Sequence, residues 1–151
     1  MNTFLPYPDF HRSARALDDR RLGKQRVEAY QILRTLLGIT SGWQNHPAVC
    51  MWRGHERCLA AYGLAMCREW VRRGHADTVE AKIAALAEGL PDSGAPPWLG
   101  SERLHRSHRS NLTRKDPDFY RKQWRTGPGH MYWWPVQAAA ALNRSRKKPK
   151  V

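Results

Sequence analysis

The 151-residue chain has few cysteines, few acidic residues and no long apolar run, and each shortage excludes a class of protein. Its three cysteines, Cys50, Cys58 and Cys67, are an odd number and form no CxxC pair, which argues against a disulfide framework and favours a reducing compartment. No segment approaches about 18 consecutive apolar residues, and the first residues, MNTFLPYPDF, lack the charged and apolar regions of a signal peptide. We therefore expect a cytoplasmic protein that does not bind membranes.

Acidic residues are half as numerous as basic ones, with 13 Asp and Glu against 26 Lys and Arg and a net charge of +13. The last eight residues, RSRKKPKV, carry five of these positive charges, and removing those five leaves +8 on residues 1–143. A basic body indicates a polyanionic partner, most simply nucleic acid. An acidic membrane surface is the competing interpretation, but no basic amphipathic helix with exposed bulky apolar residues is evident. We divide the chain into one domain, residues 1–143, and a basic tail, residues 144–151, which we expect to be disordered until it binds.

The chain has no internal repeat and no region that alternates with a period of two, so we expect an all-α fold. We predict a compact single-domain bundle of about four helices, with an extended N-terminal segment at residues 1–12 and an aromatic C-terminal segment. Caps, glycines and prolines place the four helices from Asp18 or Asp19 to Leu37, from Pro47 to Gly74 as one helix or a kinked pair, from Asp77 to Glu88, and from Ser101 to Asp116, where Pro117 ends or kinks the last one. Residues 13–17 are predicted to form one short turn and residues 138–142 a short final helix.

The segment LGKQRVEAYQILRTLLG carries two charged residues that do not fit an ordinary amphipathic helix. With an advance of about 100° per residue, Leu22 and Ala29 share a core-facing stripe, and Arg26 falls within it. Glu28 lies about 120° from Leu22, on the shoulder of the stripe, where a carboxylate can be half covered and still face a cleft. Glu28 is either a catalytic carboxylate or a structural partner of Lys24 or Arg26.

The predicted fourth helix, SERLHRSHRSNLTRKD, combines histidines with a basic face. His108 lies four residues from both Leu104 and Leu112, so it is either a buried core histidine or a functional one. His105 and His108 have HxxH spacing, but no cysteine pair or HExxH helix supplies further ligands, and we predict no metal site. Arginines on the other faces, such as Arg109, are expected to contact phosphate, because a guanidinium presents its donors in a fixed fork.

Three adjacent aromatic residues, Tyr132, Trp133 and Trp134, follow a Gly-Pro-Gly turn near the C-terminal end. Three consecutive side chains cannot all point into one core, so some of them are expected to be exposed or to cover a cleft. They either stack on bases or wedge into a duplex, or they simply pack this segment against the helices. The chain has no GxSxG motif, P-loop or Rossmann glycine pattern that would favour another chemistry.

The segment LDDRRLGKQRVEAYQILR resembles the first helix of the pyrimidine-dimer DNA glycosylases of the phage endonuclease V type, an all-α family. The resemblance to the phage enzyme rests mainly on this helix, whereas a bacterial branch of the family is similar over nearly the whole chain. The motifs shared with that branch are MxTFLPY, RLGKQRVEA, NHPAVxMW, PPWLG and HRSNLxRKDP, at residues 1–7, 21–29, 45–52, 96–100 and 108–117.

The resemblance implies a DNA glycosylase with abasic-site lyase activity that uses no cofactor. In the family, a free α-amino group at the chain start attacks C1′ of the damaged nucleotide, and one Glu on the first helix is indispensable for strand cleavage. That Glu corresponds here to Glu28. General chemistry is consistent with these two roles. A carboxylate stabilises the positive charge that develops on the sugar, and an α-amine is a usable nucleophile near neutral pH.

This chain departs from the phage enzyme in two places that concern the site. Asn2 is bulky and should hinder removal of the initiator methionine, so the nucleophile is the amine of either Met1 or Asn2. The arginines that flank the family's Glu are replaced by Val27 and Gln31, and Arg26 can substitute for one of them.

These considerations give a set of expected roles and partners. The partner is double-stranded DNA with a damaged or modified pyrimidine, bound by a monomer in the nucleoid. The alternative is a non-catalytic nucleic-acid-binding protein in which Glu28 pairs with Arg26. In addition to the catalytic Met1, Asn2 and Glu28, the residues expected to contact DNA are Arg21, Arg26, His108, Arg109, Trp133 and Trp134.

Overall fold

The fold of residues 1–135, which a computed structural model describes, consists of seven α-helices and no strand. The helices are α1 (Phe10–Ala16), α2 (Asp19–Leu36), α3 (Pro47–Cys50), α4 (Glu56–Arg72), α5 (Glu80–Ala87), α6 (Glu102–Lys115) and α7 (Pro117–Tyr120). The expected all-α single domain is confirmed. The helix predicted at residues 138–142, the tail at 144–151 and the boundary at residue 143 lie outside the described residues.

The N-terminal segment is extended, as expected, but it ends earlier than predicted. Asp9 caps α1, because its carboxylate accepts the backbone N–H of Arg12 at 2.7 Å. A seven-residue helix from Phe10 therefore replaces the short turn that we placed at residues 13–17. The helix α2 begins after Asp18, whose carboxylate accepts the backbone N–H of Arg21 at 3.3 Å.

Two other helices differ from their predicted bounds for local reasons. Gly54 has a φ of +86°, which a continuous helix does not allow. The second predicted helix is therefore interrupted and forms two helices, α3 and α4. The third helix begins at Glu80 instead of Asp77, because the Asp77 carboxylate accepts the backbone N–H of Glu80 at 2.7 Å and so lies outside the helix.

The core forms where α2 crosses α4, with α5 packed against both helices. Gly63 of α4 lies at this crossing and allows the close approach, since a Cβ atom there would lie 2.8 Å from Cδ1 of Ile83 and 3.1 Å from Cβ of Ala29. None of the helices in residues 1–135 is long and apolar enough to span a membrane. The crossing fixes α2, the helix that carries Glu28, against the rest of the domain.

Replacing Gly63 by Val is expected to lower the free energy of unfolding by about 2 kcal/mol, because the added methyl groups overpack the crossing. Urea denaturation followed by circular dichroism measures this change. Ala61→Val, an exposed change in the same helix, is the control and should cost about 0.5 kcal/mol. Equal losses for the two variants would contradict the packing role of Gly63.

Candidate active site

The extended N-terminal segment is buried, and side chains supply the hydrogen bonds of its backbone. Leu5 is held at both polar groups: its N–H donates to Nδ1 of His108 at 2.9 Å, and its C=O accepts from Nδ1 of His105 at 2.8 Å. The C=O of Pro6 accepts from Nη1 of Arg109 at 2.8 Å. The helix α6 therefore fixes the depth at which the first residues enter the domain.

Two side chains from α2 and α4 hold the segment nearer its start. Oε1 of Gln25 accepts the backbone N–H of Phe4 at 2.8 Å. The Tyr62 hydroxyl lies 2.8 Å from the C=O of Phe4 and 2.6 Å from Oε1 of Gln25, and its single hydrogen is shared between them. Thr3 is also buried, and its hydroxyl accepts from Nε1 of Trp52 at 3.0 Å. These contacts hold Thr3 and Phe4 in position, and they thereby fix the position of residue 2, which precedes them.

The two histidines of α6 are neutral, structural groups. Burial lowers the pKa of His108 to about 3, and burial also lowers the pKa of His105, although the bond to Leu5 opposes this shift. Only an unprotonated Nδ1 can accept the N–H of Leu5, so this bond requires the neutral form of His108. Only 1% of the surface of His108 is exposed. The sequence left two interpretations of this residue, a buried core histidine or a functional one, and the structure supports the first.

The start of the chain lies in a cleft of about 260 Å³ that also contains Glu28. The backbone nitrogen of Asn2 lies 3.3 Å from Oε2 of Glu28, and Nε2 of Gln25 donates to the same oxygen at 3.0 Å. Within residues 1–135 Glu28 forms no ion pair, so neither Lys24 nor Arg26 is its partner. The carboxylate is oriented by two N–H donors and faces the start of the chain.

Four basic side chains surround this single carboxylate. Arg21 donates to Asp18 at 3.2 Å, so part of its charge is compensated by the residue that caps α2. The other three are exposed. The four basic residues that line the cleft are Arg20, Arg21, Lys24 and Lys115. A positive rim around one carboxylate suits a site where phosphates bind and a cationic intermediate forms.

The structure brings Met1, Asn2, Arg21 and Glu28 together in this cleft. It places Arg26 elsewhere: its guanidinium pairs with Asp77, lies 4.5 Å over the ring of Trp70 and is 12% exposed. A DNA contact by Arg26 would require this pair to break.

The other predicted DNA contacts also lie outside the cleft. Arg109 is occupied by the C=O of Pro6, the hydroxyl of Thr126 and the carboxylate of Glu102. Trp133 packs beside Arg103, with the guanidinium carbon 5.8 Å from its ring. Trp134 lies against His46.

Sequence analysis missed two residues at or beside the site, Gln25 and His46, and left the role of Tyr132 open. Gln25 orients Glu28. Tyr132, one of the three aromatic residues that were expected to be exposed or to cover a cleft, lines this cleft, and burial raises its pKa. His46 precedes Pro47 in NHPA, a pattern typical of a helix cap, and its Nδ1 accepts the backbone N–H of Ala48 at 3.0 Å. Burial lowers the pKa of His46, and the nearby N-terminal amine lowers it further, whereas Glu28 opposes the shift.

No group of three or more potential metal ligands occurs among residues 1–135. The basic residues that cluster at this cleft are an electrostatic feature typical of nucleic-acid-binding proteins. A family model described as pyrimidine dimer DNA glycosylase matches residues 1–83, more than half of the chain. The chain therefore belongs to the pyrimidine dimer DNA glycosylase family, which supports a DNA-repair glycosylase with DNA as its partner. Searches of curated proteins and of solved structures found no significant match.

The histidine contact to Leu5 predicts an acid-sensitive domain. Folding lowers the pKa of His108 from 6.5 to about 3, so the stability that the neutral ring supplies is present above about pH 6.5 and is lost as the pH falls towards 3. At about 1.4 kcal/mol per pKa unit, the free energy of unfolding should fall by roughly 2–3 kcal/mol between pH 6.5 and about pH 4.5 through this group.

The variant His108→Asn tests whether His108 causes this acid sensitivity, because the asparagine side-chain oxygen can still accept the N–H of Leu5 but does not titrate. We expect a smaller pH dependence of the urea midpoint than in the wild type, while His11→Asn, at an exposed position, leaves it unchanged. The same pH dependence in His108→Asn and wild type would show that other groups cause the acid sensitivity.

Proposed function

We propose that the protein is a DNA glycosylase with abasic-site lyase activity that uses its N-terminal amine to form a Schiff base with DNA. The observation that carries this proposal is the 3.3 Å distance between the backbone nitrogen of residue 2 and Oε2 of Glu28, inside a cleft with a basic rim. An amine beside a carboxylate provides both a nucleophile and an acceptor for its proton. The enzyme acts as a monomer on duplex DNA that carries a damaged or modified pyrimidine.

The glycosylase step breaks the N-glycosidic bond. The amine nitrogen bonds to C1′, and the base leaves with the electron pair of the broken bond and takes up a proton. Positive charge develops on the sugar during this step, and the Glu28 carboxylate stabilises it and accepts a proton from the amine. The bond between C1′ and O4′ then opens, O4′ is protonated, and a Schiff base joins C1′ to the chain.

The lyase step is possible because the Schiff base withdraws electrons and so makes the protons on C2′ more acidic. Removal of a proton from C2′ forms a double bond between C2′ and C3′, and the 3′ phosphate leaves with the electrons of the C3′–O bond. Water then hydrolyses the Schiff base and regenerates the amine. No step in this scheme needs a metal ion or an organic cofactor.

The nucleophile is the amine of Met1 or of Asn2, and both residues line the cleft. The nitrogen that faces Glu28 is that of Asn2, which becomes an α-amine when the methionine is removed. When the methionine is retained, the α-amine is that of Met1, the residue immediately before Asn2 in the same segment. Intact mass of the purified protein tells which residue comes first.

The test of mechanism is borohydride trapping on duplex DNA with one abasic site. Wild type should form a covalent adduct that peptide mapping places on residue 1 or 2. Glu28→Gln should reduce strand cleavage at least about 100-fold, because it removes the charge and the proton acceptor. Its melting temperature should be retained, since the amide oxygen accepts the same hydrogen bonds from Asn2 and Gln25.

Glu88→Gln removes the same charge from an exposed position outside the cleft and serves as the control. Full cleavage activity in Glu28→Gln would refute the role of the carboxylate. Wild type that binds the abasic duplex but never traps would refute the Schiff base. Loss of stability in Glu28→Gln with no wild-type cleavage to lose would favour a non-catalytic nucleic-acid-binding protein.

The basic rim predicts that binding weakens as salt increases. Arg20→Ala should remove one phosphate contact, weaken binding to all duplexes to a similar degree and reduce the salt slope of the association constant by about 1. Arg57→Ala changes the net charge equally but lies at the start of α4, outside the cleft, and should leave the slope unchanged. Fluorescence anisotropy over a salt series measures both. Equal slopes for Arg20→Ala and wild type would contradict a phosphate contact at Arg20.

A further inference from the structure

Arg21 differs from the other basic residues of the cleft that contains Glu28, because its guanidinium is held in place. Its side chain is only 17% exposed, and Nη1 donates to Oδ1 of Asp18 at 3.2 Å. Among residues 1–135 this guanidinium forms no other hydrogen bond, so its remaining N–H groups can bind a ligand. The other three basic residues, Arg20, Lys24 and Lys115, are exposed. Arg21 therefore offers hydrogen-bond donors to the cleft from a fixed position.

A buried tyrosine fixes the carboxylate that holds Arg21. The Tyr120 hydroxyl donates to Oδ1 of Asp18 and accepts the backbone N–H of the same residue at 3.1 Å. Tyr120 is fully buried, and its ring is stacked on that of Trp124 with 5.2 Å between the centroids. The indole N–H of Trp124 donates in turn to the Thr113 hydroxyl at 2.8 Å. The orientation of Arg21 thus depends on a group of buried contacts that the proposed chemistry has not used.

Arg21 and Glu28 lie on the same face of α2, because seven residues correspond to nearly two full turns. These two turns span about 10 Å along the helix axis, a distance that one nucleotide and the two side chains can bridge. Burial raises the pKa of Tyr132, which lines the cleft, and the nearby charge of Arg21 opposes this rise. A sugar whose C1′ is bound beside Glu28 can therefore have an adjoining phosphate at Arg21.

A fixed guanidinium suits a phosphate whose negative charge increases during the reaction. In the lyase step the C3′–O bond breaks, and the phosphate that leaves is a monoester with more negative charge than the original diester. A guanidinium presents two parallel N–H donors to phosphate oxygens. Donors that are oriented before the reaction stabilise developing charge without having to reorganise. The exposed cations of the rim can attract a duplex, but they lack this orientation.

We propose that Arg21 is a catalytic residue of the lyase step, in which it binds the 3′ phosphate and stabilises the charge that develops on the leaving oxygen. This inference rests on the proposed function, since it concerns the step after Schiff-base formation. The C2′ proton passes to the Glu28 carboxylate, and the electrons of the C2′–H bond form the double bond to C3′. The electrons of the C3′–O bond leave with the phosphate. Arg21 donates hydrogen bonds and transfers no proton, whereas Asp18 and Tyr120 are positioning residues that act through it.

Single-turnover reactions on a duplex with one natural abasic site test this role, because they separate Schiff-base formation from elimination. Borohydride added at successive times measures the Schiff base, and gel electrophoresis measures strand cleavage. With protein in excess, Arg21→Ala should form the Schiff base at nearly the wild-type rate but eliminate about 100-fold more slowly, so the trapped intermediate accumulates. Arg21→Lys should lie between the two, because lysine keeps the charge and lacks the planar fork. Arg57→Ala, which lies outside the cleft, should match wild type in both steps.

Tyr120→Phe tests the positioning role, because it removes only the hydroxyl that fixes Asp18. We expect elimination to be about 10-fold slower, with an unchanged rate of Schiff-base formation, because the guanidinium is less well placed. Tyr30→Phe removes a hydroxyl from a tyrosine of α2 that does not line the cleft, and it should change neither rate.

Duplexes with a methylphosphonate identify the phosphate that Arg21 contacts, because this group carries no charge. It replaces the phosphate on the 3′ side of the abasic site in one duplex and on the 5′ side in another. Arg21→Ala should cause little further loss of elimination when the 3′ phosphate is neutral, and its full loss when the 5′ phosphate is neutral. The reverse pattern would assign Arg21 to the 5′ phosphate and overturn the proposal.

Arg21→Gln guards against misfolding, because the glutamine amide can still donate to Asp18 but carries no charge. This variant should keep the wild-type melting temperature and show the same selective loss of elimination. Normal elimination in Arg21→Gln, or equal losses of Schiff-base formation and elimination in Arg21→Ala, would overturn the proposal. Wild type that binds the abasic duplex but forms no Schiff base would instead refute the proposed function, whatever the Arg21 variants do.

Discussion

The structure depends on the burial of an extended segment whose backbone has no strand or helix to pair with. Buried N–H and C=O groups are costly unless they find partners, and here the partners are side chains from three helices. Gln25 from α2, Tyr62 from α4 and His105 and His108 from α6 bond Phe4 and Leu5. The segment joins these helices in return, so the core and the position of the first residues are established together.

The same contacts explain the form of the cleft that contains Glu28. Gln25 uses its oxygen to hold Phe4 and its nitrogen to orient Glu28, so one amide couples the placement of the chain start to that of the carboxylate. Among residues 1–135 no basic residue forms an ion pair with Glu28, and the four basic residues of the cleft lie on its rim, where they can meet phosphates. The proposed nucleophile and its carboxylate thus share one scaffold, as precise chemistry at C1′ requires.

Local patterns in the sequence predicted the helices and the half-covered position of Glu28, because periodicity and caps act over a few residues. The unusual position of Arg26 was visible, but its partner Asp77 lies 51 residues away and could not be identified. His108 could not be distinguished as structural, since its bond to Leu5 spans 103 residues. The contact between His46 and Trp134 depends on the position of the C-terminal aromatic segment, which no local pattern places.

The long span of the bonds to Leu5 has a consequence for biosynthesis. Residue 5 leaves the ribosome about a hundred residues before the histidines of α6 that hold it, so the start of the chain has to remain unplaced during most of translation. Contacts so distant along the chain form late, after the loop-closure entropy has been overcome. The proposed nucleophilic amine would in this way meet the Glu28 carboxylate only in a completed domain, and a prematurely terminated chain would contain both proposed catalytic groups without an assembled site.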